Sequence, residues 1–221
     1  MTITEPTLTY TDDFERAAHT LNKAFKDSRS NDYLMKKFFN IPLTENVSQG
    51  RIKAILEYFA AFYHDNGAEI AEANDFNTVA IYTTPEKPVD QWMTNDSRFN
   101  QSMFLDLGHK KHEIIPDHIK YYYLFIVGRD LTDTSSKKKG ALRKIFETYK
   151  QKADDSNSAI VLEAISESAK SVYEYFGFKS YLKFNYGKGE VNAQGEPDKN
   201  GCGFDAYLMI YYKDTFPGFL E

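Results

Sequence analysis

The chain has 221 residues, of which 42% are hydrophobic, 27% charged and 15% aromatic, a size and composition that predict one soluble globular domain over residues 1–221. Its net charge of −5 gives no general attraction to phosphate backbones, so we expect no nucleic-acid partner. No apolar run approaches the roughly 20 residues of a membrane helix and the first residues do not resemble a signal peptide, so we expect no membrane partner and a cytoplasmic location, with the nucleus as alternative.

Cys202 is the single cysteine of the sequence. It excludes an internal disulfide and a zinc site built from several thiolates. A cluster around His109, His112 and Glu113 has spacing that a metal ion could use, but its lysine-rich surroundings indicate an exposed helix face. We therefore expect no metal site.

The first part of the chain is predicted to be helical. "DDFERAAHTLNKAF" has apolar residues at helical spacing after two acidic residues, "NDYLMKKFF" is a short helix, and "SQGRIKAILEYFAAFYHDNG" is a longer one with Gly67 as its C-cap. The next segments, "AEIAEAN" and "NTVAIYTTP", alternate or are β-branched and are separated by turn residues, which predicts a hairpin.

The second part predicts alternating strands and helices. A helix over "SRFNQSMFLDLGHKKHEII" precedes the apolar strand "YYYLFIVG", and then come the helix "GALRKIFETYKQKA", the strand "AIVLEA" and the helix "ESAKSVYEYF" before Gly177. This order defines a βαβα unit. Two final strands, "KSYLKFNYG" and "FDAYLMIYY", are joined by "KGEVNAQGEPDKNGCG", whose turn-forming composition predicts a long exposed hairpin loop.

Several of these stretches resemble the GNAT superfamily of acetyl-CoA-dependent N-acetyltransferases, and within it the puromycin N-acetyltransferase-like group. They are "AAHTLNKAF", "VAIYTTPE", "YYLFIVGRD" and "LEAISESAKSVYEYFGF", in the family's order and across nearly the whole chain. The last stretch is the most specific. The resemblance implies an α/β fold with a central, mixed and splayed β-sheet flanked by helices, and acetyl-CoA as co-substrate.

The segment "DLTDTSSKKKGAL" occupies the place of the family's phosphate-binding loop, where a helix start offers unsatisfied N–H groups to an anion. An ungapped alignment puts Thr134 at a Gln or Arg position and Lys137 and Lys139 at glycine positions, while a shift by one residue puts Gly140 at the second glycine. Ser135 and Ser136 offer hydroxyl donors, and Lys138 extends the cationic run. Either the lysines attract phosphates in place of the glycines, or the run is a solvated surface.

Acetyl transfer to an amine needs a base, a stabilised oxyanion and an acid for the leaving thiolate. The resemblance implies that Tyr173 is the acid and that backbone N–H groups of Phe125, Ile126 and Val127 meet the oxyanion. Glu163 is the candidate base or substrate anchor, because a carboxylate in an apolar strand is costly to bury unless it is used or paired; a structural salt bridge is the alternative.

These residues predict an N-acetyltransferase that transfers acetyl directly to a small primary amine in a ternary complex, and they are compatible with a homodimer. The alternative is a non-catalytic GNAT-fold protein that binds a ligand or partner. The lysine-substituted loop favours this alternative, and so does Ala169, which stands where the family commonly has Asn.

Overall fold

The computed structural model describes residues 6–89, 93–132 and 139–214. In chain order its elements are β1 (Leu8–Tyr10), α1 (Phe14–Phe25), α2 (Arg29–Phe38), α3 (Gln49–Asp65), β2 (Glu69–Ala73), β3 (Thr78–Thr83), α4 (Ser97–Asn100), a π-helical segment (Gln101–Asp106), α5 (Leu107–Ile114), β4 (Tyr121–Arg129), α6 (Ala141–Asp155), β5 (Ala159–Ala164), α7 (Glu167–Tyr175), β6 (Lys179–Tyr186) and β7 (Phe204–Tyr211). The strands follow the order β1-β2-β3-β4-β5-β7-β6 in a seven-stranded sheet.

The helices begin where the sequence supplies a capping side chain. Asp13, Ser28, Ser48 and Ser166 each accept a hydrogen bond from a first-turn amide of α1, α2, α3 and α7. The predicted helices and the two hairpins are confirmed. The short strand β1 was not predicted, because three residues are too few to show a period.

The described residues divide into two compact units, the first drawn from Met1–Asp27, Val47–Val89 and Tyr121–Ile160, the second from Ser28–Asn46, Asp90–Lys120 and Val161–Glu221. In the first unit, β1, β2, β3 and β4 pair antiparallel in succession. Close packing joins α1 to β4, because a Cβ on Gly128 would lie 2.8 Å from the Cβ of Ala24. The prediction of one domain over residues 1–221 stays a prediction.

The turn between β2 and β3 has a left-handed backbone conformation, which residues other than glycine rarely adopt. Asn74, Asp75 and Phe76 have φ values of 55°, 56° and 59°. Surrounding groups hold this left-handed turn: Thr20 donates to the Phe76 carbonyl at 2.6 Å, and the Arg16 guanidinium lies 4.1 Å from the centre of the Phe76 ring. Such a conformation persists only where the neighbours fix it.

In the second unit, β6 and β7 pair antiparallel with a register shift between Ser180 and Leu182. Aromatic rings fill its core: Tyr33 lies edge-on to Phe204 with centroids 5.5 Å apart, and Phe38 edge-on to Phe99 at 5.7 Å. Edge-to-face geometry is the favourable arrangement for such rings.

The connection between β6 and β7 is a hairpin loop whose residues are mostly exposed, as predicted, but part of it is buried. Val191 is buried, and a Cβ on Gly201 would lie 1.9 Å from the Val191 carbonyl oxygen. Glu190 accepts hydrogen bonds from Tyr33 and Lys37, both at 2.7 Å. Composition did not indicate these contacts, because it reports turn propensity, whereas the contacts with Tyr33 and Lys37 come from α2, far away in the chain.

Candidate active site

A β-bulge interrupts β4 in the first unit. Ile81 pairs with Ile126 and Tyr82 pairs with Leu124, so Phe125 is an extra residue in its strand. The Phe125 ring stacks on Tyr63 with centroids 4.1 Å apart. The bulge thus falls within residues 125–127, the stretch that the resemblance implies as the oxyanion site. Whether Phe125, Ile126 and Val127 supply oxyanion donors stays a prediction.

The start of α6 carries the glycine conformation that a phosphate-binding loop needs. Gly140 is the N-cap with φ of +89°, and its carbonyl accepts the Lys144 amide at 2.9 Å. Since glycine has no side chain, Gly140 supplies no side-chain hydrogen bond to the first-turn N–H groups, which lie at the positive end of a 15-residue helix. Lys139, the preceding residue, is exposed.

The rest of the predicted cofactor residues, namely Thr134, Ser135, Ser136, Lys137 and Lys138, lie outside the described residues. Their proposed contacts with phosphate groups stay predictions. Gly140 has a positive φ. Lys139 is not among the non-glycine residues of the described ranges that have a positive φ. This conformation favours the alignment that matches Gly140, rather than Lys139, to a glycine of the family.

In the second unit, Glu163 is the penultimate residue of β5 and its side chain is 7% exposed. The Lys111 ammonium of α5 lies 2.6 Å from Oε1 of Glu163. A buried carboxylate is stable in its charged form when such a partner is present. Both alternatives for Glu163 remain open, because an ion-paired carboxylate can also act on a substrate.

Tyr173 projects from α7, which begins at the Ser166 cap. Burial, followed by the negative charge of Glu163, raises the pKa of Tyr173 to about 12. Tyr173 keeps its proton at neutral pH, which is the state that a hydrogen-bond donor to a leaving thiolate requires.

Lys111 was missed by sequence analysis, which assigned the residues around it to an exposed face. That interpretation fits His109, whose side chain is 75% exposed and lies 3.2 Å from Glu113. Lys111 is only 17% exposed. Within residues 6–89, 93–132 and 139–214, no group of three His, Cys, Asp or Glu side chains is arranged to hold a metal ion.

Comparison with known proteins identifies the class of the fold. The C-terminal condensation domain of Ebony, solved with β-alanyl-dopamine, superposes with a TM-score of 0.60 at 10% identity, covering 94% of this chain and 99% of that domain. A Corynebacterium glutamicum structure described as histone acetyltransferase HPA2 and related acetyltransferase gives 0.58 at 18% identity, covering 97% of this chain and 99% of the other. The chain has a GNAT acetyltransferase fold, as the resemblance implied.

A closer relationship follows from sequence. The model of the YOR012W acetyl transferase domain family matches residues 9–88. The chain is 46% identical over 208 residues to the uncharacterized protein YDR391C of Saccharomyces cerevisiae, an alignment that spans 94% of this chain and 88% of the yeast protein. The chain belongs to the family of these yeast proteins. The puromycin-like subgroup stays a prediction.

None of the helices in the described ranges is both long enough and apolar enough to cross a bilayer.

Proposed function

We propose that this protein is an N-acetyltransferase that uses acetyl-CoA and acetylates a small primary amine by direct transfer in a ternary complex. One observation supports the proposal: Glu163 of β5 and Tyr173 of α7 belong to the same compact unit, and the charge of Glu163 adds to burial in raising the pKa of the Tyr173 phenol. A base and an acid at one place are the pair that transfer to an amine requires.

The residues that would hold acetyl-CoA belong to the first unit. The glycine-capped start of α6 offers N–H groups and a positive dipole to the phosphates, and Lys139 adds a cation. These groups fit an anionic nucleotide. Acetyl-CoA supplies an acetyl thioester, whose carbonyl carbon is the centre that an amine can attack.

The proposed chemical roles follow from whether each group can accept or donate a proton. The acceptor nitrogen forms the new C–N bond as the C–S bond breaks, and Glu163 takes the proton that the ammonium must lose. Tyr173 donates its proton, or a hydrogen bond, to the departing sulfur. The N–H groups of residues 125–127 are the proposed donors to the oxyanion.

Binding and turnover test this proposal separately. We expect acetyl-CoA and CoA to bind at micromolar concentration in calorimetry, and a panel of small primary amines to release free CoA thiol. Tyr173→Phe should leave CoA affinity nearly unchanged and lower turnover about ten- to a thousandfold. Tyr175→Phe, on the same helix but 68% exposed, is the matched control and should change neither quantity.

Two results would overturn the proposal. Equal turnover of Tyr173→Phe and the wild type would remove Tyr173 from the mechanism. No binding at millimolar acetyl-CoA would favour a non-catalytic GNAT-fold protein that binds another ligand or a partner, which is the alternative that the lysine-substituted loop suggests.

A further inference from the structure

The helix that carries Lys111 is held in place by contacts that lie N-terminal to Lys111. It extends from Ser97 to Ile114 through α4, the π-helical segment and α5. Asp96, the N-cap, contacts the Lys37 ammonium of α2. In the π-helical segment, Met103 accepts a hydrogen bond from the Tyr186 hydroxyl of β6, with an O–S distance of 2.7 Å. These contacts fix the helix within the second unit.

The π-helical segment determines which side of the helix Lys111 occupies. A π turn accommodates one more residue than an α turn, and each α-helical residue turns the chain by about 100°. Phe99, before the segment, is buried among aromatic rings. Because the segment absorbs one residue, Lys111 lies on nearly the same side as Phe99; in an uninterrupted α-helix it would be rotated away by about a third of a turn.

Groups from several elements interact with Glu163. Lys111 of α5 is charged, with its nitrogen 2.6 Å from Oε1. The charge of Glu163 also acts on the pKa of Tyr173 of α7 and on that of Tyr186 of β6, and raises both. The two phenols are neutral at neutral pH, so Lys111 is the compensating charge among these neighbours.

We propose that Lys111 is a positioning residue for the acetyl transfer, one whose ammonium, 2.6 Å from Oε1, stabilises the charged form of the Glu163 carboxylate. The inference rests on the proposed function, since it takes Glu163 as the base. A base must be in its carboxylate form to accept a proton, and burial favours the protonated form. The lysine offsets that effect of burial.

The pH dependence of activity distinguishes this role from simple structural support. Lys111→Met removes the cation that lies 2.6 Å from a buried carboxylate oxygen, so the acidic limb of kcat/KM should move to higher pH by about one unit or more. Activity near neutral pH should fall about tenfold or more and recover in part as the pH rises. Lys111→Arg retains a cation and should keep the wild-type limb.

The matched control is Lys110→Met, which removes a lysine that is 50% exposed and paired with Glu113. It should leave the pH profile unchanged. Circular dichroism and urea unfolding check that each variant is folded, and Lys111→Gln replaces Lys111→Met if the latter fails to fold. In a Glu163→Gln background, Lys111→Met should add little further loss, because both changes act through one carboxylate.

The outcomes separate this inference from the proposed function. If the wild type binds acetyl-CoA and acetylates an amine, but Lys111→Met and Lys111→Gln keep the wild-type acidic limb, Lys111 has no positioning role. Additive losses in the Glu163→Gln background would also contradict it. If the wild type neither binds acetyl-CoA nor turns over, the proposed function fails and this inference falls with it.

Discussion

The hydroxyl of Tyr33 donates a hydrogen bond to Oε2 of Glu190 at 2.7 Å, although 157 residues separate the two in the chain. The other oxygen of this carboxylate, Oε1, accepts a hydrogen bond from the Lys37 ammonium at an N–O distance of 2.7 Å. Lys37 also contacts Asp96. Burial, and then the bond to Glu190, raises the pKa of Tyr33 far above its ordinary value, so its hydroxyl stays a donor. The connection 187–203 is therefore tied to α2 by a charged network.

Lys37→Met should destabilise the protein by about 2 kcal/mol, because it leaves two carboxylates without their shared cation. The Lys37 side chain is 9% exposed, and those of Asp96 and Glu190 are 32% and 27% exposed, so water compensates for part of the loss. Urea unfolding measures the change. Lys199→Met, at an exposed position of the same connection, is the control and should be neutral. Equal stability of the two variants would show that the network is not stabilising.

Gly128→Ala should cost about 1–3 kcal/mol, because the new Cβ would meet Ala24 at 2.8 Å and the Cδ2 of Leu21 at 3.0 Å. Its effect should appear as a lower midpoint in urea unfolding. Gly50→Ala, in α3, has no atom within 4 Å of the added Cβ and should be neutral or slightly stabilising. A Gly128→Ala variant as stable as Gly50→Ala would mean that α1 can move away from β4 without cost.

Gly140→Ala should weaken acetyl-CoA binding as well as stability. Its φ of +89° disfavours any Cβ, by about 1 kcal/mol or more, and the alteration lies at the proposed phosphate site. Gly189→Ala is the matched control, because Gly189 has φ of +79° and open space around an added Cβ. Calorimetry should show reduced affinity for Gly140→Ala alone. Unchanged affinity in both variants would exclude the start of α6 from the cofactor site.

Asp130 should contribute stability that is lost in acid. Burial acts to raise its pKa, but hydrogen bonds from Thr132 and Lys23 outweigh burial and lower the pKa to about 2. The folded-state pKa is below the unfolded value of about 4, so the contribution is complete above about pH 4 and disappears as the pH falls towards 2.

Urea unfolding between about pH 5 and 2 should therefore show a shallower loss of stability in Asp130→Asn than in the wild type. We expect a difference of about 1 kcal/mol, since the Lys23 side chain is 38% exposed and solvent screens the pair. Asp117→Asn, at an exposed position, should follow the wild-type curve. Parallel curves for all three proteins would contradict the role of Asp130.

The sequence alone was sufficient to predict the helices and strands whose determinants lie within one short segment. Amphipathic spacing and a capping serine or aspartate lie within one segment, as at Asp13 for α1 and Ser166 for α7. The resemblance to known acetyltransferases correctly implied the fold. The roles of Tyr173, Glu163 and the loop residues stay predictions.

The sequence alone was insufficient to predict contacts between residues that are far apart in the chain. It required Glu163 to be paired or used, but it did not single out Lys111, because the π-helical segment changes the face on which Lys111 lies. Lys37 meets Asp96 across 59 residues and Glu190 across 153, so no local pattern marks its burial. Such pairs depend on tertiary packing, which spacing along one segment does not encode.

The helix from Ser97 to Ile114 is held at its start, at its π-helical segment and near its end by contacts with α2, β6 and β5. A helix attached at one point frays progressively, whereas one attached along its length opens as a single cooperative unit. Its amides should therefore exchange hydrogen with a common opening free energy. Opening of this unit would separate Lys111 from Glu163 and Lys37 from Asp96 in one event, so the helical surroundings of this carboxylate last as long as the cooperative unit itself.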